Sequence, residues 1–180
     1  GVGALYGRWP GGQQKARKLR ATTYIAKVPN YSQDIARSNR SGLRELGLSP
    51  SEIKGKRILL KPNLVDVYAG ATHISTHPSV VRGAVEAFLA NGALRVLVAE
   101  GTAHYRDSLF LLEESGLAEV LAQEKVDFVD LNYDQVYTAR NLCGRSRLKE
   151  LILPETLQKV DMIISMAKMK THHWAGVTLS

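Results

Sequence analysis

Residues 57–65 read RILLKPNLV, and this stretch decides the fold class. Its continuous apolar run predicts a strand that is buried on both faces. Pro62 cannot donate a backbone hydrogen bond, so the strand should end near it. Two later segments, LRVLVAEG at 94–101 and DMIISMAK at 161–168, repeat the pattern. Strands of this kind are typical of parallel sheets that helices cover on both faces.

Amphipathic segments separate these strands. HPSVVRGAVEAFLANG at 77–92 has helix signals at both ends, with Thr76 as the candidate N-cap, Pro78 in the first turn and Gly92 after the end. The remaining predicted elements are strands at 21–28 and 126–132, an antiparallel edge strand at 136–140, helices at 31–46 and 108–125 with a break at Gly116, and a short helix from Pro154. The alternation predicts an α/β fold: a mostly parallel sheet with helices on both faces, in a Rossmann-like three-layer architecture.

The distribution of charge divides the chain. The net charge is +7, but residues 1–20 hold five basic side chains and no acid. We therefore expect 1–20 to be a basic flexible arm, either the remnant of an export signal or an arbitrary start, and 21–180 to be a single domain. Because the excess charge lies on the arm and not on a domain face, a nucleic-acid partner is disfavoured. No apolar run is long enough for a transmembrane segment.

Histidines follow the carboxyl ends of the predicted strands, where ligands of open parallel sheets bind. The five histidines are His73, His77, His104, His172 and His173. His104, His172 and His173 are the candidate metal ligands, and His172 is also a candidate for proton transfer. Neighbours on an extended segment point to opposite sides, so only one of the adjacent pair should enter any single site.

Lysines and one acid share this placement. Lys61 and Lys170 are candidate catalytic residues that are expected to bind a carboxylate or phosphate, because a lysine on an apolar strand must reach water or an anion. Lys168 lies on the same side as Lys170 if the strand continues, and it either joins them or extends to solvent. Glu100 is a candidate general base, metal ligand or lysine partner. The other candidate ligand-binding residues are Asn63, Thr76, Thr171, Gly176 and Thr178, with 176–178 predicted to form a tight turn that presents backbone N–H groups.

Missing motifs exclude several classes. The single cysteine, Cys143, rules out an internal disulfide and a cysteine-ligated cluster built from this chain alone. Neither G-x-G-x-x-G after a strand nor G-x-x-x-x-G-K-[ST] occurs, which leaves a dinucleotide fold and a P-loop NTPase unsupported. A G-x-S-x-G nucleophile elbow is also absent.

Several motifs together resemble the uncharacterised family called domain of unknown function 362. They are the K-P-N strand end at Lys61, the T-x-P helix start at Thr76, the acid-Gly strand end at Glu100, and K-x-K-T-H followed by G-V-T from Lys168 onward. The resemblance covers about residues 57–180. From this resemblance we expect the chain to be an amino-terminal portion of a member, truncated at its carboxyl end.

The resemblance implies an iron–sulfur association, often through a ferredoxin-like module. Any cluster would come from chain beyond Ser180 or from a partner. The compartment is either cytoplasmic or reached through a twin-arginine signal that this sequence lacks. Two functions stay open: an enzyme with a metal or an anionic substrate at the sheet edge, and a non-catalytic module that binds a ligand or partner there.

Overall fold

A computed structural model describes residues 22–68, 73–142, 146–172 and 175–178. The helices are α1 (Ile35–Glu45), α2 (Pro50–Ile53), α3 (Pro78–Ala90), α4 (Ser108–Glu114) and α5 (Leu117–Glu124), with a 3₁₀ helix at Glu155–Gln158. The strands are β1 (Arg57–Pro62), β2 (Arg95–Glu100), β3 (Asp127–Asp130), β4 (Val136–Arg140), β5 (Glu150–Pro154), β6 (Met162–Met166), β7 (Lys170–His172) and β8 (Gly176–Thr178). No helix in the described part is long and apolar enough to cross a membrane.

Four strands form one parallel sheet in the order β3-β2-β1-β6. β1 pairs with both β2 and β6, and β2 pairs with β3. The parallel sheet with its helices confirms the predicted α/β fold class. Two antiparallel pairs, β4 with β5 and β7 with β8, lie outside this sheet.

Different elements pack on the two faces of the sheet. Ile58 and Leu60 of β1 belong to the larger apolar cluster, which includes side chains of α3 and α5. Leu59 belongs to a second cluster, against which Leu157 of the 3₁₀ helix and the neighbouring Val160 pack. Alternate strand residues point to opposite faces, which explains this division. Right-handed connections that run in opposite directions across a sheet lie on opposite faces of it. The connections from β1 to β2 and β3 run one way, so the return from β3 to β6 is expected over the face of the second cluster.

Ion pairs hold the amino-terminal ends of neighbouring strands together. Arg57 Nη2 lies 2.9 Å from Asp161 Oδ1, and Arg57 Nε donates to Asp161 Oδ2 at 3.0 Å. These hydrogen bonds hold the pKa of the Asp161 carboxyl well below its usual range. Arg95 and Asp127 pair in the same way at the start of β2 and β3. The amino-terminal edge is therefore closed by matched charges.

Three predictions about elements need correction. Residues 22–29 form no strand, because no described strand pairs with them and most of their side chains are exposed. His77, not Thr76, caps α3: its Nδ1 accepts a hydrogen bond from the Ser79 backbone N–H. Strand 136–140 is antiparallel as predicted, but it pairs with β5 in a separate sheet. The break near Gly116 is confirmed, because its φ of +73° ends α4 and starts α5.

We expect Gly83→Ala to destabilise the protein by about 1–3 kcal/mol, as an overpacked core position does. An added Cβ would lie 2.8 Å from Ile35 Cγ2 and 2.9 Å from the Ala36 backbone nitrogen, where α3 contacts α1. Elsewhere in a helix the same change stabilises by about 0.5–1 kcal/mol. Urea unfolding would measure the difference in the free energy of unfolding.

Gly42→Ala in α1 is the matched control for Gly83→Ala. The three described atoms nearest to its added Cβ all belong to the ring of Tyr24, the first at 2.7 Å. That ring belongs to a partly exposed side chain in irregular chain and can turn away. The control should therefore be near neutral or stabilising. Equal loss of stability in both variants would contradict the proposed close approach of α1 to α3.

Candidate functional site

The carboxyl-terminal edge of the sheet contains a topological switch point. The chain runs from β1 outward to β2 and β3 and then returns to β6, on the other side of β1. The order in which the strands follow one another therefore reverses between β1 and β6. In open α/β sheets this is the position where ligands bind.

A buried carboxylate lies at this edge beside two lysines. Glu100, the last residue of β2, is only 6% exposed. Lys61 Nζ lies 2.7 Å from Glu100 Oε1 and donates to Oε2 at 2.9 Å, so the ammonium contacts both oxygens. Oε1 also accepts the Gly101 backbone N–H at 2.9 Å. Of the alternatives for Glu100, the geometry favours the lysine partner.

Lys170 supplies the second positive charge. Its Nζ donates to the Ile74 carbonyl at 2.9 Å, which is a neutral acceptor. Burial lowers the pKa of Lys170, and the attraction of Glu100 opposes this only in part. We call Lys61, Glu100 and Lys170 the charged cluster; formally it carries one positive charge in excess.

Thr76 joins three parts of the edge. Its hydroxyl accepts the Asn63 backbone N–H at 2.9 Å and donates to the Met166 carbonyl at 2.7 Å. The Thr76 backbone N–H donates to the Asn63 carbonyl at 2.8 Å, and the Asn63 amide donates to the Ile74 carbonyl at 3.0 Å. Thr76 is 7% exposed, so it positions the ends of β1 and β6 from inside the protein. Asn63 likewise orients the carbonyl that Lys170 contacts.

A second polar group at this edge was missed from the sequence. Ser108 donates to Asp130 at the end of β3 and shares a 3.0 Å hydrogen bond with Thr102. Asn132 donates from its amide to the Thr102 carbonyl at 3.0 Å. These residues also follow strand ends or begin the next helix, so the rule that found Glu100 could have found them. Their bonds orient the loop after β2.

The β7–β8 hairpin presents one face with three of the predicted residues. Lys170 pairs with Thr178 and His172 with Gly176, so Lys170, His172 and Thr178 share a face, whereas Thr171 lies on the other. The Thr178 hydroxyl is buried and has no hydrogen-bond partner in the described part of the chain. The predicted tight turn at 176–178 is wrong, because these residues form β8.

Lys168 does not join the charged cluster. β6 ends at Met166, so the period-two argument that put Lys168 beside Lys170 does not apply. Its Nζ donates to the Tyr31 hydroxyl at 2.9 Å. The Tyr31 ring in turn stacks on His77, with ring centres 3.8 Å apart. Burial, and next the charge of Lys168, lower the pKa of His77.

The histidines do not gather into one described cluster. His73 and His104 are exposed, and the His104 ring contacts that of Tyr105. His172 Nδ1 accepts the Ala175 backbone N–H at 3.1 Å inside the hairpin. No group of three or more histidine, cysteine, aspartate or glutamate side chains in the described ranges could hold a metal ion. The predicted metal role of His173, the Cys143 thiol and the arm at 1–20 lie outside those ranges.

The fold and the polar edge define a Rossmann-like α/β protein with its candidate site at the switch point. The chain belongs to the family described as domain of unknown function (DUF362), whose match covers residues 58–180. The match begins within β1 and confirms the resemblance seen from the motifs. It falls on the carboxyl-terminal portion of this chain, which corrects the expected amino-terminal position. No curated protein and no solved structure matches the chain.

Proposed function

We propose that this protein binds a small anionic ligand, bearing a carboxylate or phosphate group, in the crevice outside β1 and β6. The observation that carries the proposal is the charged cluster, in which the buried carboxylate of Glu100 contacts the Lys61 ammonium and attracts that of Lys170, which itself contacts only a neutral carbonyl among the described residues. A ligand anion would neutralise the remaining positive charge. Charge-assisted hydrogen bonds of this kind are the strong ones in proteins.

The two lysines have different parts in this proposal. Lys61 is already engaged by Glu100 with both carboxylate oxygens, which fixes its ammonium at the end of β1. Lys170 contacts a neutral carbonyl, so its charge is the less compensated of the two. The ligand anion is therefore expected to bind mainly to Lys170. The buried Thr178 hydroxyl, on the same hairpin face, is the second candidate donor.

An enzymatic function would use Lys170 for proton transfer. A lysine whose pKa is lowered by burial gives up its proton more readily than an exposed lysine, which suits a general acid or base. The non-catalytic alternative uses the same contacts with Lys170 permanently charged. The two differ in one measurable property, which is whether the pKa of Lys170 falls within the working pH range once the ligand is bound.

An iron–sulfur cluster does not fit the residues of this chain by themselves. Its ligands are several cysteine thiolates, and the sequence contains one cysteine. A link to such a cluster, through a ferredoxin-like module, therefore needs thiolates from elsewhere. No step of the proposed binding depends on it.

We expect Lys170→Met to weaken the binding of inorganic phosphate at least tenfold, since a hydrogen bond to a charged group contributes about 1.5–3 kcal/mol. Isothermal titration calorimetry with phosphate would measure this. Affinity in the wild-type protein should fall as pH rises through the lowered pKa of Lys170, hence at lower pH than for an ordinary lysine. Phosphate gains negative charge as pH rises, which would strengthen its binding, so a loss of affinity on raising the pH belongs to the protein.

Lys168→Met is the matched control, because it removes the same charge two residues away. Lys168 contacts Tyr31 and not the charged cluster, so phosphate affinity should be almost unchanged. Equal losses in both variants would indicate a diffuse effect of net charge and would contradict the proposed site. Absence of saturable binding of phosphate and of acetate by the wild-type protein would do the same.

A further inference from the structure

A separate cavity of about 750 Å³ lies between the irregular segment 24–31, helices α1 and α3, and the end of β6. Its volume is in the range of small-molecule sites, which are commonly about 300–1,000 Å³. Its walls are mainly apolar side chains, among them Tyr24, Val28, Leu43, Val80, Phe88 and Ile164. None of the described residues that line it carries a charge.

One wall of this cavity is held by side-chain packing alone. Residues 22–29 have no helix or strand, and their alternate residues Tyr24, Ala26 and Val28 line the cavity. Tyr24 packs so closely on α1 that an added Cβ at Gly42 would lie 2.7 Å from its ring. The wall can therefore adjust to a ligand without breaking a strand.

One positive charge lies at the rim. Tyr31 lines the cavity, and its hydroxyl accepts a hydrogen bond from Lys168 Nζ at 2.9 Å. The His77 ring stacks on the Tyr31 ring. The lowered pKa of His77 keeps its imidazole neutral near pH 7. An apolar cavity with one cation at its rim is complementary to an apolar molecule with one negative end.

We infer that this cavity binds an apolar carboxylate, with the hydrocarbon tail between α1 and α3 and the carboxylate at Lys168 and the Tyr31 hydroxyl. The site is distinct from the charged cluster, because Lys168 and Lys170 reach different partners. Decanoate is a suitable probe, with 1-decanol as the uncharged molecule of the same tail length.

Calorimetric titration of the full chain should show saturable decanoate binding. Affinity should rise roughly fourfold for each methylene added from hexanoate to decanoate, as expected for buried CH₂ groups. Lys168→Met should weaken decanoate about fivefold, the upper range for a surface ion pair, and leave 1-decanol unchanged. Decanoate binding should persist in the presence of saturating phosphate, which separates this result from the phosphate experiment.

Ser38→Trp would fill the cavity from a half-exposed position on α1 that lines it. It should reduce the affinity for both probes more than tenfold. Ser51→Trp, the same change at an exposed position of α2, should leave both unchanged. Thermal unfolding would establish that each variant is folded. If Ser38→Trp is not folded, the comparison of Lys168→Met with the wild type still tests the inference.

Three outcomes would overturn the inference. The first is no saturable binding of decanoate by the wild-type protein. The second is binding that Ser38→Trp leaves intact in folded protein. The third is a dimer in analytical ultracentrifugation that Ser38→Trp converts to a monomer, which would make the cavity an interface between copies.

Discussion

Thr76→Val should lower the free energy of unfolding by about 2–4 kcal/mol, although valine has nearly the same shape as threonine. The Thr76 hydroxyl is the acceptor for the Asn63 backbone N–H and the donor to the Met166 carbonyl. Valine leaves both of these backbone groups without that partner. An unsatisfied buried polar group costs about 1–3 kcal/mol, so the two losses outweigh the small gain from an extra buried methyl group.

The location of Thr76 makes this loss specific to the switch point. Its hydroxyl links the end of β1 to the end of β6 through its hydrogen bonds to Asn63 and Met166. The amino-terminal ends of the same strands are held independently by Arg57 and Asp161. We therefore expect amide exchange to accelerate more at the carboxyl ends of these strands than at their amino ends.

Thr76→Ser is the control for this prediction. Serine keeps the hydroxyl and loses one methyl group, which should cost about 1 kcal/mol or less. Urea unfolding of the two variants should place Thr76→Ser close to the wild type and Thr76→Val well below it. If the serine variant is as unstable as the valine variant, the methyl contact contributes as much as the hydrogen bonds do, which would contradict this prediction.

The sheet could be predicted because its signal is local. The central strands β1 and β2 have apolar residues on both faces, which is how buried parallel strands differ from other segments. Segment 21–28 has strand-forming residues too, but a strand also needs a partner for its backbone groups. That partner depends on the tertiary arrangement, and residues 22–29 have none in the described sheet. Local propensity cannot distinguish these cases.

The candidate site was predictable only in part, for a similar reason. The predicted carboxyl ends of the strands locate the residues at that edge of the sheet, and this was enough to select Lys61, Glu100 and Lys170. Which side chains touch depends on the strand order, since Lys61 meets Glu100 only because β1 and β2 are neighbours. Lys168 shows the limit of periodicity: β6 stops at Met166, and residues 167–169 are irregular before β7 begins at Lys170.

We expect Lys61→Met to destabilise the protein by about 2 kcal/mol, because it removes the direct partner of the buried Glu100 carboxylate. Breaking a fully buried ion pair costs about 3–5 kcal/mol. The lower figure applies here because the Lys61 side chain is 45% exposed and water can reach the vacated position. Lys61→Arg keeps the charge and is the conservative comparison.

The double variant Lys61→Met with Glu100→Leu tests whether the ion pair between these residues stabilises the fold. Replacing both members of an ion pair by apolar residues is often neutral or stabilising, so the double variant should recover most of the stability lost in Lys61→Met. A complete double-mutant cycle in urea would give the interaction free energy between the two residues. A double variant less stable than Lys61→Met alone would contradict this expectation and assign the pair to the fold.

Phosphate binding by the same variants separates stability from function. In a stable double variant Lys170 keeps its position, but the fixed ammonium of Lys61 is gone from the end of β1. Phosphate affinity should therefore fall severalfold while the free energy of unfolding is restored. That combination would mean that the Lys61–Glu100 pair lowers the stability of the fold. It would also mean that the pair is retained because it holds Lys61 where an anion binds. Unchanged phosphate affinity would leave Lys170 as the binding residue and remove Lys61 from the proposed site.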